Sequence, residues 1–350
     1  MPIETRRQRY QTHRFSPEIQ QDLKSLTTPS SLRGVLAVLE DWGLIAMGSS
    51  AILLGFANLD RWWGAFAFLF GLVVNGARMR ALATLLHESA HNSLSRLTWL
   101  NSLLGTVGSA WWVLQVRGRY IRSHVQDHHT HLGDPELDPD TAQYVRQGLL
   151  RASPNTLFLS NFIMLLLGGK TLVNLPYLLR DRLLPKPGAK LSAGEWTEIF
   201  GFLAAWSFLI AFLAAKGWLL AFFLVWVLPY LTTFQAINWV IETSEHFPLI
   251  WTRSDPFQIT RNRKGPALEQ FLFGCHGEGW HRVHHERPAI PFWNMRQAHA
   301  AMMRDPDYAA FERESGGLFV RGPQGEPSIL STIQDDLAAL NAAAQVEVRA

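Results

Sequence analysis

Four apolar runs, each near the roughly 20 residues that a bilayer-spanning helix needs, alternate along this chain with stretches rich in His, Arg and Asp. Gly34 to Ala57 is the first, interrupted only by Glu40 and Asp41, which must face protein or water rather than lipid. Trp62 to Leu86 follows after the short link Asn58-Leu59-Asp60-Arg61, so the pair reads as a helical hairpin. Arg78 and Arg80 fall in its last third, where the helix is expected to leave the hydrocarbon. Ile199 to Ala215 and Trp218 to Val240 form a second hairpin, turning at Lys216-Gly217. Two weaker stretches are broken by polar residues, Gly or Pro: Leu97 to Val116, and Leu157 to Leu179 with Gly168-Gly169-Lys170 and Pro176. Runs of that kind lie in the interface or re-enter more often than they span. The predicted spans are 34–57, 62–86, 199–215 and 218–240, with interfacial stretches at 97–116 and 157–179.

Four crossings put the N-terminus, residues 87–196 and the tail from 241 on one side. That side carries most of the Arg and Lys, and the links at 58–61 and 216–217 are nearly bare, so the positive-inside rule assigns it to the cytoplasm. The fold class is an all-α membrane protein, with four transmembrane helices in two hairpins and a cytoplasmic helical cap. Three parts follow: a basic cytoplasmic arm (1–33), the membrane domain (34–300) and a cytoplasmic tail (301–350). In the tail, Ile329, Ile333, Leu337 and Leu340 mark one amphipathic helix that packs on the rest. Composition agrees with a membrane protein rather than two soluble domains: of 350 residues 48% are hydrophobic, with 14 Trp and 21 Phe, and only 17% are charged. The basic arm lacks the apolar core and cleavage site of a signal peptide. One cysteine, Cys275, excludes a disulfide framework, a cysteine-rich metal site and a fused ferredoxin or rubredoxin module. The net charge of +3 points to the cytoplasmic face of a membrane and not to nucleic acid.

The 13 histidines are unevenly spread. His87 and His91 close the second span; His124, His128 and His129 lie in RSHVQDHHTHLGDPELDPD; His281, His284 and His285 lie in GEGWHRVHHERPAIPFW. Spacings of i, i+3 or i, i+4 set imidazoles on one helix face, where two can converge on a metal. The adjacent pairs His128-His129 and His284-His285 diverge by about 100°, which suits one ligand to each of two neighbouring ions. Unligated, eight clustered imidazoles would be costly in desolvation and mutual repulsion. His87-Glu88-x-x-His91 alone matches the zinc protease pattern, with Glu88 as general base. One zinc needs only three or four ligands, fewer than the histidines gathered in these clusters. Two ions with several imidazoles each fit better.

With these boxes, the sequence resembles the integral-membrane fatty acid desaturases and hydroxylases, which carry three histidine boxes. Here they are His87-Glu-Ser-Ala-His91, His124-Val-Gln-Asp-His128-His129 and His281-Arg-Val-His284-His285, followed by an HHxxPxxPF-like continuation. The similarity covers residues 34–300 in the order hairpin, boxes, hairpin, box. It implies a cytoplasmic cap holding two iron ions, and O2-dependent attack on an unactivated C–H bond of a long acyl chain, giving a double bond. Acyl-CoA members carry a further ligand after the fourth span, and His246 occupies that place, completing nine. Those enzymes have Asn four residues earlier; here the position is Glu242.

Carboxylates beside the boxes are Glu88, Asp127, Asp134, Asp138, Asp140, Glu245, Glu278 and Glu286. A ligating His commonly passes its other ring N–H to such a group, and Asp127 and Glu278 are the first choices, with Glu88 and Glu242 also supporting. His131 and His276 read as supporting or structural, His299 as structural and His13 as solvated. Gln235, Asn238 and Trp239 are candidates for a substrate tunnel. Arg117, Arg119, Arg122, Arg261, Arg263 and Lys264 suit anionic lipid head groups or an acyl carrier's phosphates. The implied partners are a lipid or acyl-thioester substrate, the membrane and an external electron donor of ferredoxin, rubredoxin or cytochrome b5 type. A hydroxylase or ketolase acting on a lipid, alkane or carotenoid is the nearer alternative, and a membrane zinc protease the distant one.

Overall fold

The computed structural model describes residues 12–169, 171, 176, 179–183, 188 and 190–349; Arg6, Arg7 and Arg9 of the arm and part of the 157–179 stretch lie outside these. Among the described residues helices are the only regular elements. They include α1 (Pro17–Ser25), α2 (Ser31–Phe56), α3 (Trp62–Ala90), α4 (Thr98–Thr106), α5 (117–131), α6 (Pro139–Arg146) and α7 (Leu157–Leu166). Then come α8 (Ala193–Lys216), α9 (Leu219–Thr252), α10 (Ala267–Phe273), α11 (His281–Glu286), α12 (Met295–Met302), α13 (Pro306–Glu312) and α14 (Ile329–Arg349). Two compact units result: Ser30–Arg122 with Ile163–Asn238, and Met1–Pro29 with Ser123–Phe162 and Trp239–Ala350.

In the first unit, α2, α3 and α8, together with the continuous helix α9, are the four helices long and apolar enough to cross a membrane. Small residues let α2 and α3 touch backbone to backbone, as membrane helices require where no hydrophobic drive separates lipid from protein. A Cβ on Gly71 would sit 2.5 Å from the Gly48 carbonyl oxygen, and one on Gly55 2.4 Å from the Phe68 nitrogen. A Cβ on Gly76 would likewise crowd α9, 2.7 Å from the Phe234 nitrogen. Asn75 ties three segments by donating to Ser49 Oγ (3.0 Å) and to the Val225 carbonyl (2.8 Å). Arg78 and Arg80 are both buried within α3, which runs on unbroken to Ala90; Asp41 of α2, also buried, lies 3.4 Å from Arg78 and offsets its charge.

The 97–116 stretch stops short of a span: α4 ends at Thr106 and only one short 3-10 turn, Ala110–Val113, follows. Carbonyls left over by such a break need donors, and tryptophan indoles provide them. Trp42 donates to Gly108 (2.9 Å), Trp206 to Trp111 (2.9 Å) and Trp226 to Trp112 (3.2 Å). Similarly, α7 has ten residues and gives way to a turn with Gly168 at φ +74°.

The second unit is built on a core of Phe15, Ile19 and Leu23 from the N-terminal arm and α1, with Phe257, Val283, Ile290, Met295, Met302 and Tyr308. Ile329, Ile333 and Leu337 of α14 are fully buried, so the tail helix packs through the predicted stripe. Because α3 and α2 depend on contact without side chains, Gly71→Leu is expected to cost about 1–3 kcal/mol or more by overpacking. It should lower the melting temperature of the detergent-solubilised protein. Gly43→Ala, which meets nothing within 4 Å, should leave that temperature unchanged or slightly raised.

Candidate metal centre

The second histidine box owes its geometry to an unusual winding. In an α-helix the residue at i+5 lies about 140° round the axis, so His124 and His129 would point apart. Over Ile121–His128 the helix adopts i→i+5 bonding, which returns the fifth residue to the same face. The Nε2 atoms of His124 and His129 are consequently 3.1 Å apart. His284, from α11, brings its Nε2 within 3.0 Å of that of His129. A second group gathers His128, His246, His281 and His285, all buried. Here His281 Nε2 is 2.9 Å from His246 Nε2 and 3.0 Å from His285 Nε2. The adjacent pairs thus divide as their divergence predicts: His129 and His284 go to one group, His128 and His285 to the other.

These distances test the fit of a metal. Imidazole nitrogens bound at about 2.0–2.1 Å to one ion, at angles between square and tetrahedral, lie about 2.9–3.4 Å from each other. The observed separations of 2.9–3.1 Å fall in that interval. Neutral imidazole suits zinc, copper, iron and nickel, so the donor set fits a metal without choosing it.

Carboxylates and carbonyls behind the rings fix which nitrogen faces inward. Asp138, fully buried, accepts from His128 Nδ1 (3.0 Å) and is itself held by Thr141 Oγ1 (2.6 Å) and the Asp140 amide (3.0 Å). Asp140 lies 3.3 Å from the same Nδ1. Glu245 Oε1 is 3.2 Å from His281 Nδ1 and accepts from Arg263 (2.8 Å). His246 Nδ1 points its proton at the Ile259 carbonyl, 3.1 Å away. A proton donated outward from Nδ1 leaves the Nε2 lone pair for a metal and raises its basicity.

The third box is anchored by residues that spacing alone does not reveal. Asn262 Oδ1 accepts the Arg282 and Val283 amides (3.0 and 3.4 Å), satisfying the first turn of α11. Its amide nitrogen donates to Tyr308 Oη and Glu312 Oε1, both at 3.0 Å. The Arg282 guanidinium, fully buried between His281 and Val283, lies 3.8 Å from the Phe257 ring centroid, 4.2 Å from Phe311 and 4.5 Å from Tyr308. Glu312 at 3.4 Å neutralises it.

The other candidates stand as follows. His87 and His91 belong to α3 and its C-cap, with ring centroids 5.1 Å apart. They share one stripe with Arg80 and Thr84 at i, i+4, i+7 and i+11. Glu88 is buried, 3.8 Å from His87 Nδ1, and is held by Ser93 Oγ at 2.8 Å. Asp127 accepts from His131 Nδ1, Glu242 from Tyr144 Oη and Glu278 from Arg263, each through its backbone carbonyl. Asp138, Asp140 and Glu245, from the wider group of carboxylates that the sequence pointed to, are set against box imidazoles at 3.0–3.3 Å. Gln235 is buried with Nε2 lacking a hydrogen-bond partner among the described residues, and Trp239 Nε1 donates to Gln147 (3.0 Å). Asn238 is partly buried on the same helix, α9. His276 packs on Phe292, and His299 bonds Tyr308 Oη at 3.0 Å. His13 is not solvated: its amide donates to Glu286 (2.7 Å), its Nε2 lies 3.1 Å from Asp305 Oδ1 and its ring stacks on Phe257. Phe15, Ile19 and Leu23, being core residues, carry that part of the arm inward.

Burial, then the neighbouring His129, His281, His246 and His128, holds the His285 imidazole well below its ordinary range. The folded protein therefore refuses a proton that the unfolded chain takes up below about pH 6.5. Stability of the metal-free protein is full above that pH and should fall as pH drops through it, read as a lower melting temperature at pH 5.5 than at 7.5. Glu245→Gln, which weakens the hold on His281, should reduce metal affinity by about 10–100-fold in equilibrium competition with a chelator.

Comparison with known proteins agrees with this arrangement. A family model described as fatty acid desaturase matches residues 61–315. Over 332 residues the chain is 35% identical to a dihydrorhizobitoxine desaturase from Bradyrhizobium elkanii, an alignment covering 94% of this chain and 92% of that one. The protease reading of His87-Glu88-x-x-His91 gives way, and what remains is a desaturase: the chain belongs to the fatty acid desaturase family.

Proposed function

We propose that this oxidoreductase is an O2-dependent membrane desaturase whose nine histidines hold two iron ions. His124, His129 and His284 would serve one and His128, His246, His281 and His285 the other, with the first-box histidines His87 and His91 completing the nine. The observation that carries this reading is the convergence of Nε2 atoms at 2.9–3.1 Å in two groups that divide the adjacent histidine pairs between them. Bound iron would supply, with O2 and two electrons, the oxidising power to remove hydrogen from an unactivated C–H bond. The net change is balanced: one saturated carbon–carbon bond, O2, two electrons and two protons give one double bond and two waters.

The chain's own groups keep the donors neutral, point Nε2 inward and exclude water. Asp138 and Glu245 hold Nδ1 protons of His128 and His281, while Arg282 and Asn262 lock the α11 turn that presents three imidazoles. The four apolar helices are read as two hairpins with the histidines and both termini on the cytoplasmic side, where the cationic residues concentrate. An external donor of ferredoxin, rubredoxin or cytochrome b5 type supplies the electrons.

The substrate is read as an acyl chain carried by a lipid or thioester. The relative favours a second reading of the substrate, because it is named for dihydrorhizobitoxine and not for a fatty acid. Metal analysis and product analysis test the proposal together. Purified protein is expected to carry about two irons per chain, matching two sets of donors each with the several imidazoles that one ion needs. Membranes given deuterated saturated substrates of both classes should yield an alkene from one of them, and His284→Ala should reduce that product to background. One zinc and no iron per chain, or an alcohol as sole product, would sink it.

A further inference from the structure

Beside Trp280, which directly precedes the third histidine box, the second unit holds a cleft of about 540 Å3. Trp280 and His299 form one wall, their rings 4.5 Å apart and tilted by 31°. The mouth is made by exposed side chains, among them Arg296, Met303, Arg313 and Gln324. The charges in it do not cancel. Lys264 is taken up by Glu312 at 3.7 Å and Glu326 at 3.9 Å. Arg296 and Arg313 have no side-chain ion-pair or hydrogen-bond partner among the described residues, so the rim carries two uncompensated guanidinium groups.

We propose that this cleft is the docking site of an acidic one-electron donor protein, which delivers electrons at Trp280. Two independent features lead there. The uncompensated cations offer the complement that steers an acidic partner to a defined orientation. Trp280 is joined by a single peptide bond to His281, whose Nε2 belongs to the second imidazole group. Electron tunnelling falls steeply with distance, and a donor seated against the indole has a covalent path of one residue to that group. A small anion would satisfy the guanidinium pair, yet would make no use of the indole that lines the same cleft beside a candidate ligand. The proposal rests on the desaturase reading, since it is that reaction which needs two electrons from outside the chain.

The test uses full-length iron-loaded protein in detergent, with reduced plant-type ferredoxin as the acidic donor and dithionite as a donor-independent reductant. Arg296→Glu combined with Arg313→Glu should raise the KM for ferredoxin by about tenfold or more at low salt and flatten its dependence on ionic strength. Arg296→Lys with Arg313→Lys, which preserves charge, should restore most of the affinity. Trp280→Phe should slow ferredoxin-driven reduction at saturating donor, seen by stopped-flow, more than it changes the KM. A loss in the charge-reversal variant that persists in full when dithionite replaces ferredoxin would overturn the proposal. So would wild-type protein that shows no salt-sensitive binding of ferredoxin, or an unchanged KM after charge reversal. No turnover of wild-type protein with either reductant would instead count against the desaturase reading.

Discussion

Everything in the second unit depends on bringing imidazole nitrogens to about 3 Å from one another while keeping water away. Such crowding is tolerable only if the rings stay neutral and each has its other nitrogen occupied. Asp138, Glu245 and the Ile259 carbonyl occupy three of these outer positions, and each is itself held by a neighbour or by the backbone. The helix winding obeys the same constraint. An α-helical second box would have directed His129 away from His124, and the i→i+5 stretch removes that conflict over two turns. Widened turns carry poorer hydrogen bonding than α-helix, so the sequence accepts a local cost to place one nitrogen.

The anchor of α11 shows how a six-residue helix is held rigid enough to present three ligands. Helices this short are unstable alone. Asn262 and Arg282 replace the missing length by tying the turn to Tyr308, Phe257 and Glu312, which come from elsewhere in the unit. A fully buried guanidinium is favourable only where its charge is met, and three aromatic faces with one carboxylate meet it. The core that surrounds this cage also draws in His13 and α1.

Much of this was legible in the chain. The four long helices follow from hydropathy, because lipid exposure imposes a composition that no other role imposes so uniformly. The sorting of His128-His129 and His284-His285 into separate groups follows from helical geometry alone. Other features depend on contacts between residues distant in sequence, and no local pattern encodes them. Orientation of a carboxylate toward a ring depends on where the chain returns: Glu245 reaches His281 across 36 positions of sequence. The π segment has no residue signature that separates it from ordinary helix. His13 lies in a basic polar arm, and only the apolar spacing of Phe15, Ile19 and Leu23 hinted that the arm would be drawn into a core.

The first unit presents a different physical problem. A charged pair buried between two apolar helices is expensive, and replacing such a pair by apolar side chains often stabilises a protein. Its presence therefore argues for a role other than stability. Arg80 and Thr84 occupy the same stripe of α3 as His87 and His91, with Arg80 donating to Thr84 at 3.1 Å, and the Asp41–Arg78 pair lies at the same level of that helix. Seven residues separate Arg80 from His87, a rise of about 10.5 Å. A buried polar track of that length ends at two candidate ligands, so this face of α3 is turned inward from lipid along its last turns.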